Sequence, residues 1–340
     1  MELHDHEYHL LTVVDVVDET ADTRSFTLEI PPELEDTFAY SAGQFCTFRA
    51  TIDGAPVVRC YSMSSSPDTD DPFTTAVKRV PEGLMSNWMN DTLAPGDTLE
   101  VLRPTGLFVL HDRDVPIVAF AGGSGITPVI SIVKSALATT NRRIQLVYAN
   151  RDADAVIFAG DLERLRSESD GLLSVHHHLD SDGGFLDAAQ CAAFVGDDVH
   201  ADFYVCGPGL YMDVVEAGLN TLGVTPDRVF IERFDVPEPA AASVDVEAST
   251  ESVVIKLAQH ENTVPYQAGD TILETARRAG LSPPFSCEQG NCATCMAHLD
   301  DGTVTMRVNN ALSPDEVDEG WVLTCQSLPT SPKVVVDYDA

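Results

Sequence analysis

Basic residues are scarce in this chain. Its 340 residues include 20 Lys and Arg against 54 Asp and Glu, a formal net charge of −34. So negative a surface repels phosphate, which argues against a nucleic-acid partner. No apolar run is long enough to cross a bilayer, so membrane insertion is not expected. The first residues, Met1-Glu-Leu-His-Asp-His-Glu, are polar and acidic and do not read as a secretory leader. Low-complexity tracts and internal repeats are lacking. Cysteine is thinly spread outside one stretch: Cys46, Cys60, Cys191 and Cys206 have no framework spacing, which reads as reduced thiols in a cytoplasmic protein. Trp88 and Trp321 are expected to serve packing. The acidity itself leaves two readings open, steering toward a basic redox partner or a generally acidic, soluble surface suited to a salty cytoplasm.

What is present is concentrated near the end of the chain. Cys287-Glu-Gln-Gly-Asn-Cys292-Ala-Thr-Cys295 is followed, thirty positions on, by Cys325. This is the plant-type C-x4-C-x2-C…C spacing of a 2Fe-2S cluster. Two irons bridged by two sulfides need four thiolates, and a short loop can supply three while a distant strand brings the fourth. Gly290 lets such a loop turn tightly. Small neighbours, Ser286 and Ala293, let backbone N–H groups approach the sulfurs. Structural zinc usually pairs its cysteines as C-x2-C twice, and only Cys292 and Cys295 have that spacing.

Along the chain the grammar changes twice. Residues 8–110 are rich in short alternating or β-branched runs separated by Pro, Gly and Asp turns, which suggests a barrel, with one short helix at 83–90. From about residue 115 strands alternate with helices, as in a parallel sheet with crossovers. The strand Pro116-Ile-Val-Ala-Phe-Ala runs into Gly122-Gly-Ser-Gly-Ile-Thr-Pro128 and a helix to about Ala138. Residues 235–252, rich in Pro, Ala and acids, read as a linker. A last domain starts at Val253, with a helix at 271–279. The run His176-His177-His178 lies on a strand, where consecutive side chains face opposite sides, so the three are read as surface residues and not as one metal site.

Arg59-Cys-Tyr61-Ser62 in the β region, Gly83-Leu-Met-Ser86 at the short helix, the Gly122–Pro128 turn, Cys206-Gly207-Pro208 at a strand end and the cysteine loop follow one another in an order that resembles the ferredoxin–NADP reductase superfamily. Within it the likeness is to reductase components of bacterial oxygenases. Ala42-Gly43-Gln44-Phe45 is similar to the Pro-Gly-Gln segment that often begins a flavin-side strand. The resemblance implies a multi-domain β + α/β + α+β chain: a flavin-binding β-barrel over 1–112, an NAD(P)H-binding parallel α/β sheet over 113–234, the linker 235–252, and a β-grasp-like plant-type 2Fe-2S ferredoxin domain over 253–340.

It also implies roles. Arg59 would pair with the flavin pyrophosphate, Tyr61 would lie against the isoalloxazine ring, and Ser62 would face its N5. Gly83 and Ser86 would hold the pyrophosphate at a helix N-terminus, with Lys78 and Arg79 as further phosphate contacts. A pyrophosphate site implies FAD. Gly122, Gly123, Gly125 and Thr127 would bind NAD(P)H, with Cys206, Gly207 and Pro208 on the nicotinamide side; the turn lacks the full Rossmann fingerprint. Ser62, Cys206 and Phe234 would surround the hydride transfer, Phe234 covering the flavin face. Cys287, Cys292, Cys295 and Cys325 would ligate the cluster. Flavin between nicotinamide and cluster reconciles a two-electron donor with a one-electron acceptor. NADH is expected over NADPH, because Asp152 and Asp154 crowd Arg151.

The expected partner is a terminal oxygenase. The segment from Met306 to Ser327 resembles reductase components of 3-ketosteroid 9α-hydroxylases, which feed a Rieske oxygenase. Phenylacetyl-CoA epoxidase reductases share the domain order, and a slow-turnover redox-sensing module is the reading of another class. One departure from many plant-type loops is Ala293, where they have glycine.

Overall fold

The computed structural model describes residues 8–234, 250–285, 290 and 293–340. These form two compact units, one of residues 8–104 and 108–234, the other of residues 105–107 and 250–340.

The first unit opens with six antiparallel strands: β1 (His9–Thr20), β2 (Thr23–Glu29), β3 (Phe45–Ile52), β4 (Ala55–Ser62), β5 (Thr74–Lys78) and β6 (Thr98–Val101), with helix α1 (Leu84–Thr92) between the last two. Their order is β4-β3-β6-β1-β2-β5. Alternation buries one face: Leu11, Val13, Phe26, Leu28 and Phe48 point into a common core. Met85 and Met89, four apart on α1, enter the same core, and Trp88 packs at its edge. Burying each such side chain is worth roughly 1.5–3 kcal/mol. The expected barrel is not closed by a ladder. The outer strands meet at one isolated bridge, Met63 to Thr75, because the chain leaves β4 through Ser64 and Ser65, whose N–H groups both turn onto the Thr74 carbonyl.

The α/β half continues through β7 (Ile117–Gly122), α2 (Ile126–Thr139), β8 (Ile144–Asn150), α3 (Ala159–Glu168), β9 (Leu173–Leu179), α4 (Asp180–Gly183), α5 (Ala188–Val195), β10 (Asp202–Cys206), α6 (Gly209–Thr221) and β11 (Val229–Glu232). All five strands are parallel, in the order β11-β10-β7-β8-β9. The order reverses between β7 and β10, and ligands of such sheets gather at the strand C-termini beside that reversal. At the opposite end the buried Asp202 accepts from the buried Arg142, 2.7 Å away, and from Arg113 at 3.1 Å. Helix α2 packs in a core that also contains Ala42, Ala76 and Phe108, so apolar packing runs unbroken between the antiparallel and parallel halves. On the edge strand β9, His176 lies by Phe194, ring centroids 5.6 Å apart, and His177 by Tyr148, at 6.0 Å.

The second unit contains β12 (Ser252–Leu257), β13 (His260–Pro265), α7 (Ile272–Arg278), β14 (Met296–Asp301), β15 (Val304–Met306), α8 (Pro314–Asp318), β16 (Trp321–Leu323), β17 (Ser327–Pro329) and β18 (Lys333–Asp337). A mixed sheet, β13-β12-β18-β14-β16, has one parallel pair, β12 with β18, and β15 pairs separately with β17. Helix α7 lays Ile272 and Ala276 on the sheet against Val253, Ile255 and Val334. Its start is a capping box: Thr271 Oγ1 accepts from the Glu274 N–H, and the Glu274 carboxylate accepts from the Thr271 N–H. Strand β12 begins at Ser252, inside the stretch expected as linker; residues 235–249 of that stretch lie outside the described residues.

Candidate functional site

Strand β4 carries Arg59, Tyr61 and Ser62 opposite Phe48, Cys46 and Phe45 of β3. The Tyr61 ring rests on Phe48, centroids 5.7 Å apart, and burial pushes its phenol above the usual tyrosine range. Ser62 is 2% exposed and its hydroxyl has no hydrogen-bond partner among the described residues. An orphaned buried hydroxyl is costly unless a bound group satisfies it. Arg59 is exposed, donates to the neighbouring Val58 carbonyl, and forms no ion pair among the described residues. An exposed guanidinium without an ion pair suits an anionic group, and the orphaned Ser62 hydroxyl on the same strand suits a polar atom of a bound ring.

At α1, Gly83 is the N-cap and Ser86 is buried. A Cβ on Gly83 would fall 2.6 Å from Ser86 Oγ, which accepts from the Val80 N–H at 3.1 Å and keeps its own proton to donate. Arg79 is taken up by Asp91 at 2.6 Å. Lys78 points elsewhere: at the end of β5 it lines a cavity of about 500 Å³ with Gly122 and Gly123, its ammonium 3.8 Å from Asp22.

That cavity occupies the reversal point of the parallel sheet. Asn150, Arg151 and Asp180 line it from the ends of β8 and β9, Pro208 and Tyr211 from the start of α6, and the highly exposed Phe185 and Leu210 flank it. Tyr211 holds a buried hydroxyl with no partner among the described residues. Tyr148 fixes the floor, donating to the Gly123 carbonyl at 3.1 Å and accepting from the Ile157 N–H. The glycines do more than leave room for a ligand. A Cβ on Gly125 would lie 2.2 Å from the Cys206 carbonyl oxygen, and one on Gly122 would lie 3.0 Å from both Pro208 and Tyr211. They let the turns after β7 and β10 touch. Gly207 sits in that same contact. Thr127 is buried and donates to the Ser124 carbonyl at 2.9 Å.

Cys206 is fully buried, and burial drives its thiol well above the usual range, so it is a neutral thiol. It pairs in register with Glu232 of β11, whose carboxyl is pushed up to about 8 by burial. Phe234, two residues on, is 43% exposed. The sequence pattern assigns no role to Glu232, Tyr211, Phe185 or Leu210. Nothing local marks them, since each gains its position only from the sheet order.

In the second unit Cys295 and Cys325 are buried in one apolar cluster with Leu273, Met296, Leu312 and Leu323. The Cys295 carbonyl accepts from Thr324 Oγ1 at 2.7 Å, and Gln326 Nε2 donates to Cys325 Sγ at 3.7 Å. Gly290 has φ +79°, and a Cβ there would meet the Val308 carbonyl at 2.7 Å. Ala293 holds φ +55° with a side chain. Two buried thiols in one apolar cluster, one accepting an amide N–H, fit cluster ligation. Cys287, Cys292 and Ser286 lie outside the described residues.

Three family models match in this order: an oxidoreductase FAD-binding domain over residues 10–110, an oxidoreductase NAD-binding domain over 120–216, and a 2Fe-2S iron-sulfur cluster binding domain over 255–330. The ferredoxin reductase component of 3-ketosteroid-9-alpha-monooxygenase from Rhodococcus rhodochrous is 40% identical, over 97% of this chain and 96% of that protein. The chain belongs to the oxygenase reductase components. A 1,2-phenylacetyl-CoA epoxidase component from Escherichia coli K12 is 33% identical over 98% of both chains. The solved structure of phthalate dioxygenase reductase, described as modular electron transfer from pyridine nucleotides to 2Fe-2S, matches with a TM-score of 0.59 and 27% identity, over 97% of this chain and 98% of that one. This reductase is thus an NAD(P)H-dependent oxidoreductase with FAD, NAD and 2Fe-2S domains. Among its described residues no helix is long and apolar enough to cross a membrane.

Proposed function

We propose that this reductase takes electrons from NADH and passes them through FAD and the 2Fe-2S cluster to a terminal oxygenase of the 3-ketosteroid 9α-hydroxylase type, in the cytoplasm. The observation that carries the oxygenase assignment is the 40% identity spanning nearly the whole of the steroid-hydroxylase reductase. A phenylacetyl-CoA epoxidase-type oxygenase is the second reading, favoured by 33% identity over a similar span. The boundaries we assign are 1–112 for FAD, 113–234 for NAD(P)H, 235–252 for the linker and 253–340 for the cluster.

Flavin supplies the exchange between a two-electron donor and a one-electron acceptor. The chain supplies placement. Arg59 neutralises pyrophosphate, Tyr61 packs along the isoalloxazine, and the Ser62 hydroxyl donates toward its N5. Gly83 and Ser86 offer the first turn of α1, whose N–H groups favour an anion. Gly122, Gly123, Gly125, Thr127, Gly207 and Pro208 shape the nicotinamide side, where Cys206 is a neutral wall. Lys78 belongs by its place in the cavity with the dinucleotide phosphates of NADH. Phe234 would cover the flavin face where nicotinamide must enter. Cys287, Cys292, Cys295 and Cys325 hold the two irons.

The deciding experiment mixes the loaded reductase with NADH and a purified oxygenase component of each type. Product from a 3-ketosteroid with the first, and none with the epoxidase, is expected; the reverse assigns the second reading.

A further inference from the structure

Helix α2 starts in the Gly122–Gly125 turn and shows one face to the antiparallel half. Ser131, Lys134 and Ser135, spaced i, i+3 and i+4, share that face. Ser131 and Ser135 are fully buried in the helix interior, where alanine is the better helix former. Neither side chain turns back on its own helix. Ser131 Oγ donates to the Ser65 carbonyl at 2.6 Å and accepts from the Gly43 N–H at 3.3 Å. The hydroxyls of Ser135 and Ser66 are 2.7 Å apart. Lys134 Nζ donates to the Ser64 carbonyl at 3.2 Å and lies 2.8 Å from Asp71. Ser64, Ser65 and Ser66 follow Ser62 almost directly. Gly43 is drawn in so closely that a Cβ would fall 2.1 Å from the Phe108 carbonyl and 3.0 Å from Ile132 Cδ1.

We propose that Ser131, supported by Ser135 and Lys134, is a positioning residue for hydride transfer: its two hydrogen bonds fix the Gly122–Thr127 turn against the Tyr61–Ser62 end of β4. The proposal rests on the reading that β4 carries the flavin and the turn the nicotinamide. One hydroxyl holds a donor from the segment before β3 and an acceptor from the segment after β4, so α2 cannot slide along either without breaking a buried bond. Misplacement by about 1 Å, even far from the reacting atoms, can cost about a hundredfold in rate. A shift of a fraction of that is therefore expected to slow the transfer step while leaving coenzyme affinity nearly intact.

The test uses the full-length, flavin- and cluster-loaded protein. In Ser131→Ala the Gly43 amide should exchange with deuterium faster than in wild type. In stopped flow, flavin bleaching by NADH should slow roughly tenfold, with a weaker long-wavelength charge-transfer absorbance and an NADH Kd changed by less than about twofold. Ser135→Ala, which removes half of one hydroxyl pair, should show a smaller effect of the same sign, and serves alone if Ser131→Ala does not fold. Lower Tm with wild-type bleaching and charge-transfer absorbance in the folded variants would reduce the seam to a structural role and overturn the proposal. Wild-type protein that NADH does not bleach at all would instead overturn the underlying site reading.

Discussion

Arg151 commits its guanidinium to Asp152, Nε to Oδ2 at 3.0 Å, at the rim of the cavity beside the reversal point of the parallel sheet. Asp152 is itself anchored, accepting from the Ala155 N–H at 3.0 Å. Of the two cations in that lining, Arg151 is thus paired with Asp152 and Lys78 lies 3.8 Å from Asp22, and Asp180 adds a carboxylate beside them. We expect kcat/KM for NADH to exceed that for NADPH, measured with ferricyanide as acceptor. In Asp152→Asn the gap should narrow, as Arg151 is released toward a phosphate. A higher kcat/KM for NADPH in the wild type would overturn the NADH assignment.

Ala293 occupies a backbone region that L-residues enter at a cost of about 1–2 kcal/mol. Ala293→Gly should relieve that strain and partly return it as extra freedom in the unfolded chain. The net is a cluster loop more stable by up to about 1 kcal/mol, read as slower bleaching of the cluster absorbance in denaturant. Equal or faster bleaching would show that the positive φ carries no strain.

Asp202 sits fully buried between Arg142 and Arg113. Removing one partner of a buried pair leaves an uncompensated charge, typically at a cost of 3–5 kcal/mol. Asp202→Ala should destabilise the FAD- and NAD-binding unit by that much, read from its denaturant unfolding curve. A loss below about 1 kcal/mol would mean that water reaches the arginines.

Glu232 is raised by burial from 4.5 to about 8. Between those values the folded state keeps a proton that the unfolded state has released, so stability falls as pH rises through this window. Glu232→Gln, neutral at every pH, should flatten the slope and gain on the order of a few kcal/mol relative to wild type above pH 8. Parallel stability–pH curves for the two proteins would place the carboxylate in water.

The sequence was legible wherever chemistry is local. The Gly122–Pro128 turn between strand and helix, the Arg59–Ser62 strand and the cysteine spacing all depend on neighbours in the chain. Lys78 was legible as a cation but not in its direction, because the cavity it lines is completed by β7 and α6. Glu232 meets Cys206 only through the β10–β11 pairing. Ser131 carries no local mark in the sequence, since its partners Gly43 and Ser65 are far away in the chain. The barrel expectation erred at closure, a property of how β4 exits and not of strand composition.

The core shared by Ala42, Ala76, Phe108 and α2 bears on how this reductase can be cut and recombined. A break at residue 112, natural by the sequence grammar, would bare Ala42 and Ala76 on one fragment and the apolar face of α2 on the other. Chimeras that exchange flavin specificity or coenzyme preference by swapping one half would therefore inherit a mismatched seam. The transferable cassette is the pair of halves carried together.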